Sequence, residues 1–285
     1  MTGFKLRSGD AGALATLMYS LGDLTKTLAL RFDANGIEAQ EKVCQDCVLL
    51  SIRLPADKLR VYSAVGCGGI LLRPDDLYIV LSQAGQRDEV EIEYDDAKEA
   101  LLHVRICREE DKDLRQEYEL KLLKYSPRDV FESPKLEMDY VLAISTAYMT
   151  NTFSRLLSFG TSELIYFNCD REKLTLSARG DHIISMAAFT VFTGPCSDER
   201  AMQRTRKRGE AKEGTFGLDT EFTRSIKQES VEYRVLARHI RSLIKAFGIN
   251  RGSTFVYLRK DYPLVFELHV GALGTLSLTV LPIME

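Results

Sequence analysis

The sequence lacks any apolar run long enough to cross a lipid bilayer, and its first ten residues, MTGFKLRSGD, lack the apolar core of a secretory signal. These absences predict a soluble, intracellular protein with no membrane partner. The chain also lacks an excess of positive charge, since 38 Lys and Arg stand against 41 Asp and Glu, a formal net charge of −3. A nucleic-acid surface on this chain would therefore be a local basic stripe on an acidic body.

Recognisable catalytic and metal-binding patterns are missing as well. The four histidines, at positions 103, 182, 239 and 269, are too dispersed to suggest a catalytic triad, and there is no G-x-x-x-x-G-K-[ST] loop. Cys44 and Cys47 form a C-x-x-C without a second pair at zinc-ligand spacing, so we interpret the six cysteines as buried thiols. The sequence thus predicts a binding protein and not an enzyme, with no catalytic residues, no metal and no cofactor.

Most of the chain consists of short segments of alternating polarity, which predict β-strands. The predicted strands are residues 25–32, 37–44, 48–54, 90–94, 101–107, 118–125, 163–169, 174–178, 183–192, 254–259, 264–270 and 276–281. The segments with a helical period are residues 10–22, 74–84, 147–159 and 233–247. Each half then has an early helix, three strands, a late helix and three more strands, which indicates an internal repeat.

A linker separates the two halves. Residues 126–136 (SPRDVFESPKL) combine two prolines with several charges. We therefore predict a first domain at 1–126, a connecting loop at 127–136 and a second domain at 137–285. The predicted fold class is α+β, with two similar domains of antiparallel β-sheet that carry two helices each. An exposed edge strand at each end invites pairing with another chain, and such pairing closes into a ring when the rotation allows it.

Several stretches resemble the proliferating cell nuclear antigen family, the DNA sliding clamps of eukaryotes and archaea. Residues 253–284 (STFVYLRKDYPLVFELHVGALGTLSLTVLPIM) resemble the final hairpin of the family, and 118–125 (YELKLLKY) resemble its domain-one edge strand. Residues 26–54 match its first hairpin in spacing, and the linker resembles its interdomain connecting loop. The resemblance lies in the ordered agreement of many weak features.

The resemblance implies a homotrimeric ring whose helices line a hole around duplex DNA. Such a ring slides without reading the base sequence and tethers DNA polymerase and other replication and repair proteins through short peptide motifs. A separate ATP-dependent clamp loader opens it. The expected location is the nucleus, or a viral replication compartment if the source is a virus.

The DNA surface is expected on the later helices. The candidate DNA-binding residues are Arg73, Arg155, Arg238, Arg241, Lys245 and Arg251. Arg238, Arg241 and Lys245 are spaced three and four apart, so they share one helix face. Arg155 falls where the family carries a DNA-facing arginine. The first predicted helix has no Lys or Arg, and the second has only Arg73 at its start. The family normally places lysines on both helices, so this departure favours weak binding of DNA by domain one.

The resemblance also implies two protein interfaces. Peptide motifs of partner proteins are expected to bind in a pocket formed by Val43, Val48, Leu50, Phe131, Pro134, Pro263 and Pro282. Thr279 stands where the family often has an aromatic residue, which leaves the peptide preference open. Subunits are expected to join by pairing residues 117–125 of one chain with 181–190 of the next. The predicted interface residues on these strands are Tyr118, Leu120, Leu122, Ile183, Ser185 and Ala187.

Other interpretations stay open at this point. The basic insertion at 193–217 carries Arg204, Arg206, Lys207 and Arg208, which fit a DNA contact, a nuclear address or a solvated loop. The chain also fits a subunit of a heterotrimeric DNA-damage checkpoint clamp, or a monomeric processivity factor of the viral kind. A hydrolase or transferase on a β-rich scaffold would need a convergent polar site, which the sequence does not offer.

Overall fold

The computed structural model describes residues 2–85, 88–97, 100–108, 115–127, 131, 138–158, 163–170, 173–180, 184–190, 220–223, 230–250 and 252–283. The chain divides into two compact units. Unit 1 comprises Met1–Ser133 and His269–Leu278, and unit 2 comprises Pro134–Leu268 and Thr279–Glu285. The basic insertion at 193–217 lies outside the described residues.

The described residues form four α-helices close to the predicted positions. The helices are α1 (Ala11–Gly22), α2 (Pro74–Leu81), α3 (Thr146–Ser158) and α4 (Ala237–Phe247). The carboxylate of Asp10 accepts a hydrogen bond from the Ala13 backbone nitrogen at 2.9 Å, which caps α1, and Pro74 occupies the first turn of α2. None of these helices is long and apolar enough to span a bilayer.

The remaining regular structure in the described residues is β-strand. In the first half of the chain the strands are β1 (Gly3–Ser8), β2 (Leu28–Asp33), β3 (Gly36–Val43), β4 (Val48–Pro55), β5 (Val61–Val65), β6 (Gly68–Leu72), β7 (Glu89–Asp95), β8 (Leu101–Cys107) and β9 (Arg115–Lys121). In the second half they are β10 (Tyr140–Ser145), β11 (Leu164–Cys169), β12 (Lys173–Arg179), β13 (Ile184–Thr190), β14 (Thr220–Thr223), β15 (Val231–Leu236), β16 (Ser253–Leu258), β17 (Leu264–Val270) and β18 (Gly274–Val280).

Unit 1 contains two groups of hydrogen-bonded strands. One is a sheet in the order β5-β1-β7-β8-β9, and the other runs β18-β4-β3-β2-β6, where residues 274–278 are the part of β18 that belongs to this unit. Alternate side chains of β1 and β8 are buried, as expected for strands with one face against a core. Helices α1 and α2 pack against each other.

Unit 2 also has two groups of strands, β14-β10-β16-β17 and β13-β12-β11-β15, with α3 packed against α4. Its core contains a cluster of aromatic rings with centroids 5.4 to 6.2 Å apart. The members of this cluster are Phe153, Phe167, Phe247 and Phe266. These rings join α3 and α4 to strands β11 and β17 and hold the two helices in place.

The two halves of the chain repeat the same order of elements and the same strand neighbours. In the described residues each half has one strand, a helix, five strands, a helix and three strands. Strand β1 pairs with β5 and β7, as β10 pairs with β14 and β16. Strand β2 pairs with β3 and β6, as β11 pairs with β12 and β15. Each half therefore contains three more strands than the predicted order of helix, three strands, helix and three strands.

Local features of the sequence explain why some of these additional strands are not predicted. Strand β5 packs loosely, with alternate residues exposed, and β6 begins with two glycines that read as a turn. The helical period predicts that the fourth helix begins at Tyr233, but residues 233–236 end β15. Tyr233 pairs with Phe167 in the β11–β15 register, and this tertiary pairing overrides the local helical pattern. The helix starts at Ala237 instead.

The coarse prediction of antiparallel sheets combined with helices is confirmed. In the described part of the chain, neighbouring strands pair in antiparallel fashion, as between β7 and β8 or β12 and β13. The ring assembly and the domain limits stay predictions.

Candidate DNA and protein interfaces

Cationic side chains lie on both helices of unit 2. Arg238 and Arg241 on α4 are exposed, Lys245 is half-buried, and Arg155 is exposed on α3. The opposite side of α4 enters the core through Ala237, His239, Ile240, Leu243, Ala246 and Phe247. Neither helix contains Asp or Glu. Long cationic side chains on such a helix surface suit loose contacts with phosphates. The predicted DNA-binding residue Arg251 lies outside the described residues.

The helices of unit 1 have a different surface. Helix α1 (AGALATLMYSLG) contains no charged residue, and α2 carries Asp75 and Asp76 in its exposed first turn. Arg73 is exposed at the N-cap of α2, next to these two carboxylates in sequence. Tyr19 and Ile79 are also exposed, at 47% and 61%. The cations of the four helices are thus concentrated in unit 2.

A buried histidine lies on the core side of α4, beside the cationic residues. His239 is 3% exposed, and its Nε2 atom has no hydrogen-bond partner. Burial lowers the pKa of the His239 imidazole below its ordinary value of 6.5, and the neighbouring charge of Arg238 lowers it further. The folded protein therefore holds this side chain in the neutral form.

We expect this histidine to make unit 2 less stable in mild acid. As pH falls below about 6.5, the unfolded chain binds a proton on His239 before the folded chain does, so the free energy of unfolding decreases. The variant His239→Leu should flatten this dependence between about pH 7 and 5, measured by urea unfolding. Leu243→Met on the same buried face is the control and should keep the wild-type slope. An unchanged slope in His239→Leu would contradict the prediction.

Phe131, on the predicted connecting loop, is held against strand β3. Its backbone nitrogen donates to Gln40 Oε1 and Gln40 Nε2 donates to its carbonyl oxygen, both at 2.9 Å. The Lys42 ammonium lies 4.5 Å from the centroid of the Phe131 ring. The ring is still 43% exposed. A partly exposed aromatic ring on a residue whose backbone is held in place is suited to contact with another protein.

The other predicted pocket residues are distributed differently. Val43, Val48 and Leu50 are at most 4% exposed, and Val43 pairs with Val48 across the β3–β4 hairpin. Their side chains belong to the core of unit 1, so in this conformation they have little surface for a peptide. Pro263 and Pro282 in unit 2 are half-buried, whereas Pro134 lies outside the described residues.

The strands predicted to join subunits lie at the edges of their sheets. Strand β9 ends the described order β5-β1-β7-β8-β9, and β13 ends the order β13-β12-β11-β15. Tyr118, Leu120 and Leu122 are half-buried. So are Ser185 and Ala187, whereas Ile183 lies outside the described residues. The predicted strand at 118–125 begins earlier, at Arg115, and ends at Lys121. Beyond it, the backbone N–H groups of Leu122 and Leu123 donate to the carbonyl oxygens of Ala100 and Leu71.

The outward face of the β9 sheet carries a network of ion pairs centred on Glu91. This carboxylate lies 2.9 Å from Lys5 Nζ, 3.0 Å from Arg7 Nη2 and 2.8 Å from Arg105 Nη1. Burial alone would raise its pKa, but hydrogen bonds from Lys5, Arg105 and Arg7 outweigh burial and lower the pKa to about 2. Arg105 continues the network to Glu117 on β9, at 3.1 Å. Glu117 on the outward face of β9 is therefore held by its own sheet.

Comparison with known proteins gives one match over almost the full length. No family model matches the chain. The chain is 20% identical over 284 residues to a probable DNA polymerase sliding clamp 1 of Paramecium bursaria Chlorella virus 1, with 99% of this chain and 97% of the relative aligned. The resemblance to a sliding clamp is confirmed. The low identity makes the chain a divergent relative of that clamp, in keeping with the unusual helices of unit 1.

Several residues on these surfaces have no clear signal in the sequence. Gln40 and Lys42 occupy outward positions between buried residues of β3, a pattern typical of any half-buried strand. Their role depends on Phe131, which is 91 residues away from Gln40. Ile184 and Met186 on β13 are each 66% exposed, although their apolar character predicts burial.

In the described residues there is no group of three or more His, Cys, Asp or Glu side chains that could hold a metal ion.

Proposed function

We propose that this chain is a subunit of a ring-shaped DNA sliding clamp. In this proposal the ring encircles duplex DNA without reading its base sequence and tethers DNA polymerase and other replication and repair proteins. The observation that carries the proposal is the concentration of Arg155, Arg238, Arg241 and Lys245 on one helix pair, on a chain that aligns with a clamp relative over 99% of its length. The protein acts by binding and not by catalysis.

The proposed DNA contact is electrostatic and lies on unit 2. Cations on α3 and α4 would reach phosphates on the outside of the duplex and release counterions, with no need for contact with base edges. Three or four cationic residues per chain suit a surface that slides, because each contact is weak and easily exchanged. Asp75 and Asp76 on α2 would repel phosphates, so unit 1 contributes little to the grip.

The proposed ring closes through the edge strands β9 and β13. Within unit 1, residues 274–278 of β18 lie beside β4. Strand β18 is the last strand of the second half of the chain, as β9 is the last strand of the first half. Strand β4 is the third of the five strands between the two helices of the first half, as β13 is in the second half. Repeating this pairing between chains would join β9 of one subunit to β13 of the next. Three such joints give the trimer of the clamp family, which an ATP-dependent loader would open.

The proposed tethering site lies around Phe131 on unit 1. Short peptide motifs commonly bind by placing apolar anchors on a surface and pairing their backbone with an extended segment. Phe131 fits this mode because Gln40 holds its backbone while its ring remains partly exposed. The expected location is a nuclear or viral replication compartment.

A topological experiment tests the proposal directly. The assembled ring, with its loader and ATP, is placed on closed circular duplex DNA and passed over a sizing column in moderate salt. We expect the ring to stay with the circle and to leave it after a restriction enzyme linearises the DNA, because a closed ring slides off free ends. Equal retention on circular and linear DNA would show binding by charge alone and would favour a monomeric processivity factor.

A further inference from the structure

The outward face of strands β2, β3 and β6 in unit 1 is partly covered by residues that follow β9. The Leu123 backbone nitrogen donates to the Leu71 carbonyl oxygen on β6 at 2.8 Å. The Tyr125 ring lies against the Gly69 backbone, since a Cβ atom added to Gly69 would collide with this ring. Farther along, Phe131 lies on β3 through the contacts described above. In unit 1, aromatic side chains from a later part of the chain therefore occupy this face.

Unit 2 repeats the first of these contacts on the corresponding strands. The Ile283 backbone nitrogen donates to the Arg234 carbonyl oxygen on β15 at 2.8 Å. Because β15 pairs with β11 as β6 pairs with β2, Ile283 takes the place of Leu123. Beyond this contact, the outward face of the sheet is exposed at Asn168, Arg179, Met186, Glu232 and Arg234. Unit 2 thus leaves accessible the face that aromatic rings occupy in unit 1.

The exposed face of unit 2 contains a depression with a volume of about 400 Å³. Across the sheet, Ser177 of β12 lies between Tyr166 of β11 and Met186 of β13, so a short side chain is flanked by two long ones. The guanidinium carbon of Arg179 lies 5.0 Å from the centroid of the Tyr166 ring and adds a cationic wall. A depression with a polar floor and with aromatic, apolar and cationic walls is suited to a flat side chain.

Corresponding positions in the two units hold cations beside aromatic rings. Counted along the strands from the two matching backbone hydrogen bonds, Lys42 on β3 corresponds to Arg179 on β12. The Lys42 ammonium lies 4.5 Å from the centroid of the Phe131 ring. Arg179 lies beside Tyr166 and is nevertheless exposed. Because a planar guanidinium has two faces, Arg179 can take a second ring as Lys42 takes Phe131.

The charge of the depression indicates the charge of its occupant. Among the described residues that line it, Arg179 and Arg234 are cationic and Glu232 is the one carboxylate. Glu232 Oε1 accepts a hydrogen bond from Asn168 Nδ2 at 3.0 Å. An occupant with a carboxylate beside its ring complements the two guanidinium groups. A nucleic-acid strand fits less well, because Met186 forms an apolar wall and Glu232 repels phosphates.

We infer that this depression binds a short peptide of a partner protein in which an aromatic side chain stands next to a carboxylate. The aromatic ring lies over Ser177, between Arg179 and Met186, and the carboxylate pairs with a guanidinium group. The ring then takes the contact with a cation that Phe131 takes with Lys42 in unit 1. The inference goes beyond the proposed clamp function, because it adds a second peptide site on unit 2.

A series of defined peptides tests the chemistry of this site on the whole chain. The probe is a fluorescein-labelled peptide with phenylalanine between two aspartates, and fluorescence anisotropy measures its affinity. We expect replacement of the phenylalanine by alanine, or of both aspartates by lysine, to weaken binding roughly tenfold or more. A labelled oligothymidine of similar length should bind less tightly than the probe. Tighter binding of the oligothymidine, equal affinity for all the peptides or no binding of the probe would overturn the inference.

Variants of the chain locate the bound probe. Arg179→Glu removes the proposed cation and Ser177→Phe fills the depression with a ring, so each should weaken probe binding roughly tenfold or more. Lys173→Glu makes the same charge change at an exposed position of β12 outside the depression, and this control should bind the probe normally. Phe131→Ala should also bind it normally. Unchanged binding in both depression variants, or equal loss in the control or in Phe131→Ala, would place the probe elsewhere and overturn the inference.

Retention on circular DNA separates this site from the clamp function. A wild-type chain that binds the probe but does not stay on circular DNA supports the peptide site on unit 2 and counts against the proposed function. A chain that stays on circular DNA but does not bind the probe overturns the peptide site and leaves the proposed function in place.

Discussion

Reversing the three cations of α4 is expected to abolish retention of the assembled ring on duplex DNA. In the combined variant Arg238→Glu, Arg241→Glu and Lys245→Glu, each subunit loses three phosphate contacts and gains three repulsive charges. Because each phosphate contact contributes about 0.9 to the slope of log affinity against log salt, the salt dependence of binding should nearly disappear. Binding of the ring to linear duplex DNA at several salt concentrations, which no topological link sustains, measures the effect.

The design of this variant limits its effect to the helix surface. Arg238 and Arg241 are exposed and Lys245 is half-buried, whereas the core side of α4 is left unchanged. The control is Lys58→Glu, Lys173→Glu and Arg179→Glu, an equal change of charge at exposed positions away from the helices. The control should keep its retention. Equal loss in both variants would mean that net charge and not the α4 surface governs DNA binding, and unchanged retention in the first would remove α4 from the DNA interface.

Releasing the segment at Phe131 is expected to weaken the binding of partner peptides. Gln40→Ala removes both hydrogen bonds that fix the backbone of Phe131, and each such bond contributes about 1 kcal/mol to net stability. Loss of about 2 kcal/mol would release the backbone of Phe131 and reduce peptide affinity by roughly tenfold or more. Phe131→Ala should have a similar effect, because it removes the exposed ring itself. Fluorescence anisotropy with a labelled polymerase-derived peptide measures both.

A neighbouring substitution controls for changes to strand β3. Ser51 lies opposite Gln40 in the β3–β4 register, so Ser51→Ala alters the same part of the hairpin without touching the contacts of Phe131. This variant should bind peptide as the wild type does. If Gln40→Ala and Phe131→Ala also keep their affinity, the peptide site lies elsewhere on the chain.

The uneven charge of the helices bears on how the proposed ring would hold DNA. In the described residues, α1 and α2 carry no Lys or Arg within their bounds, and all four helical cations lie on α3 and α4. A ring built from such subunits would touch the duplex at alternate positions around its hole. Mutations on unit 1 helices should therefore affect DNA retention much less than mutations on α4.

The sequence by itself was sufficient for the local elements. The apolar period of α1 and the proline at the start of α2 place two helices within a few residues. The alternation of residues 37–44 and 48–54 predicts strands β3 and β4, and the spacing of Arg238, Arg241 and Lys245 predicts a shared helix face. These features depend on residues close together in the chain, so their pattern can be recognised without the fold.

Only the tertiary structure decided which surfaces the elements leave exposed. Val48 and Leu50 resembled pocket residues, but the sheet pairing of β4 buries them. Gln40 and Phe131 meet although they are far apart in sequence, and Ile184 and Met186 stay exposed because they lie on the face of β13 opposite the buried Phe189. Burial and edge position depend on which distant strands pair, and a one-residue shift in that pairing exchanges the two faces of a strand. No local pattern in the sequence contains that choice.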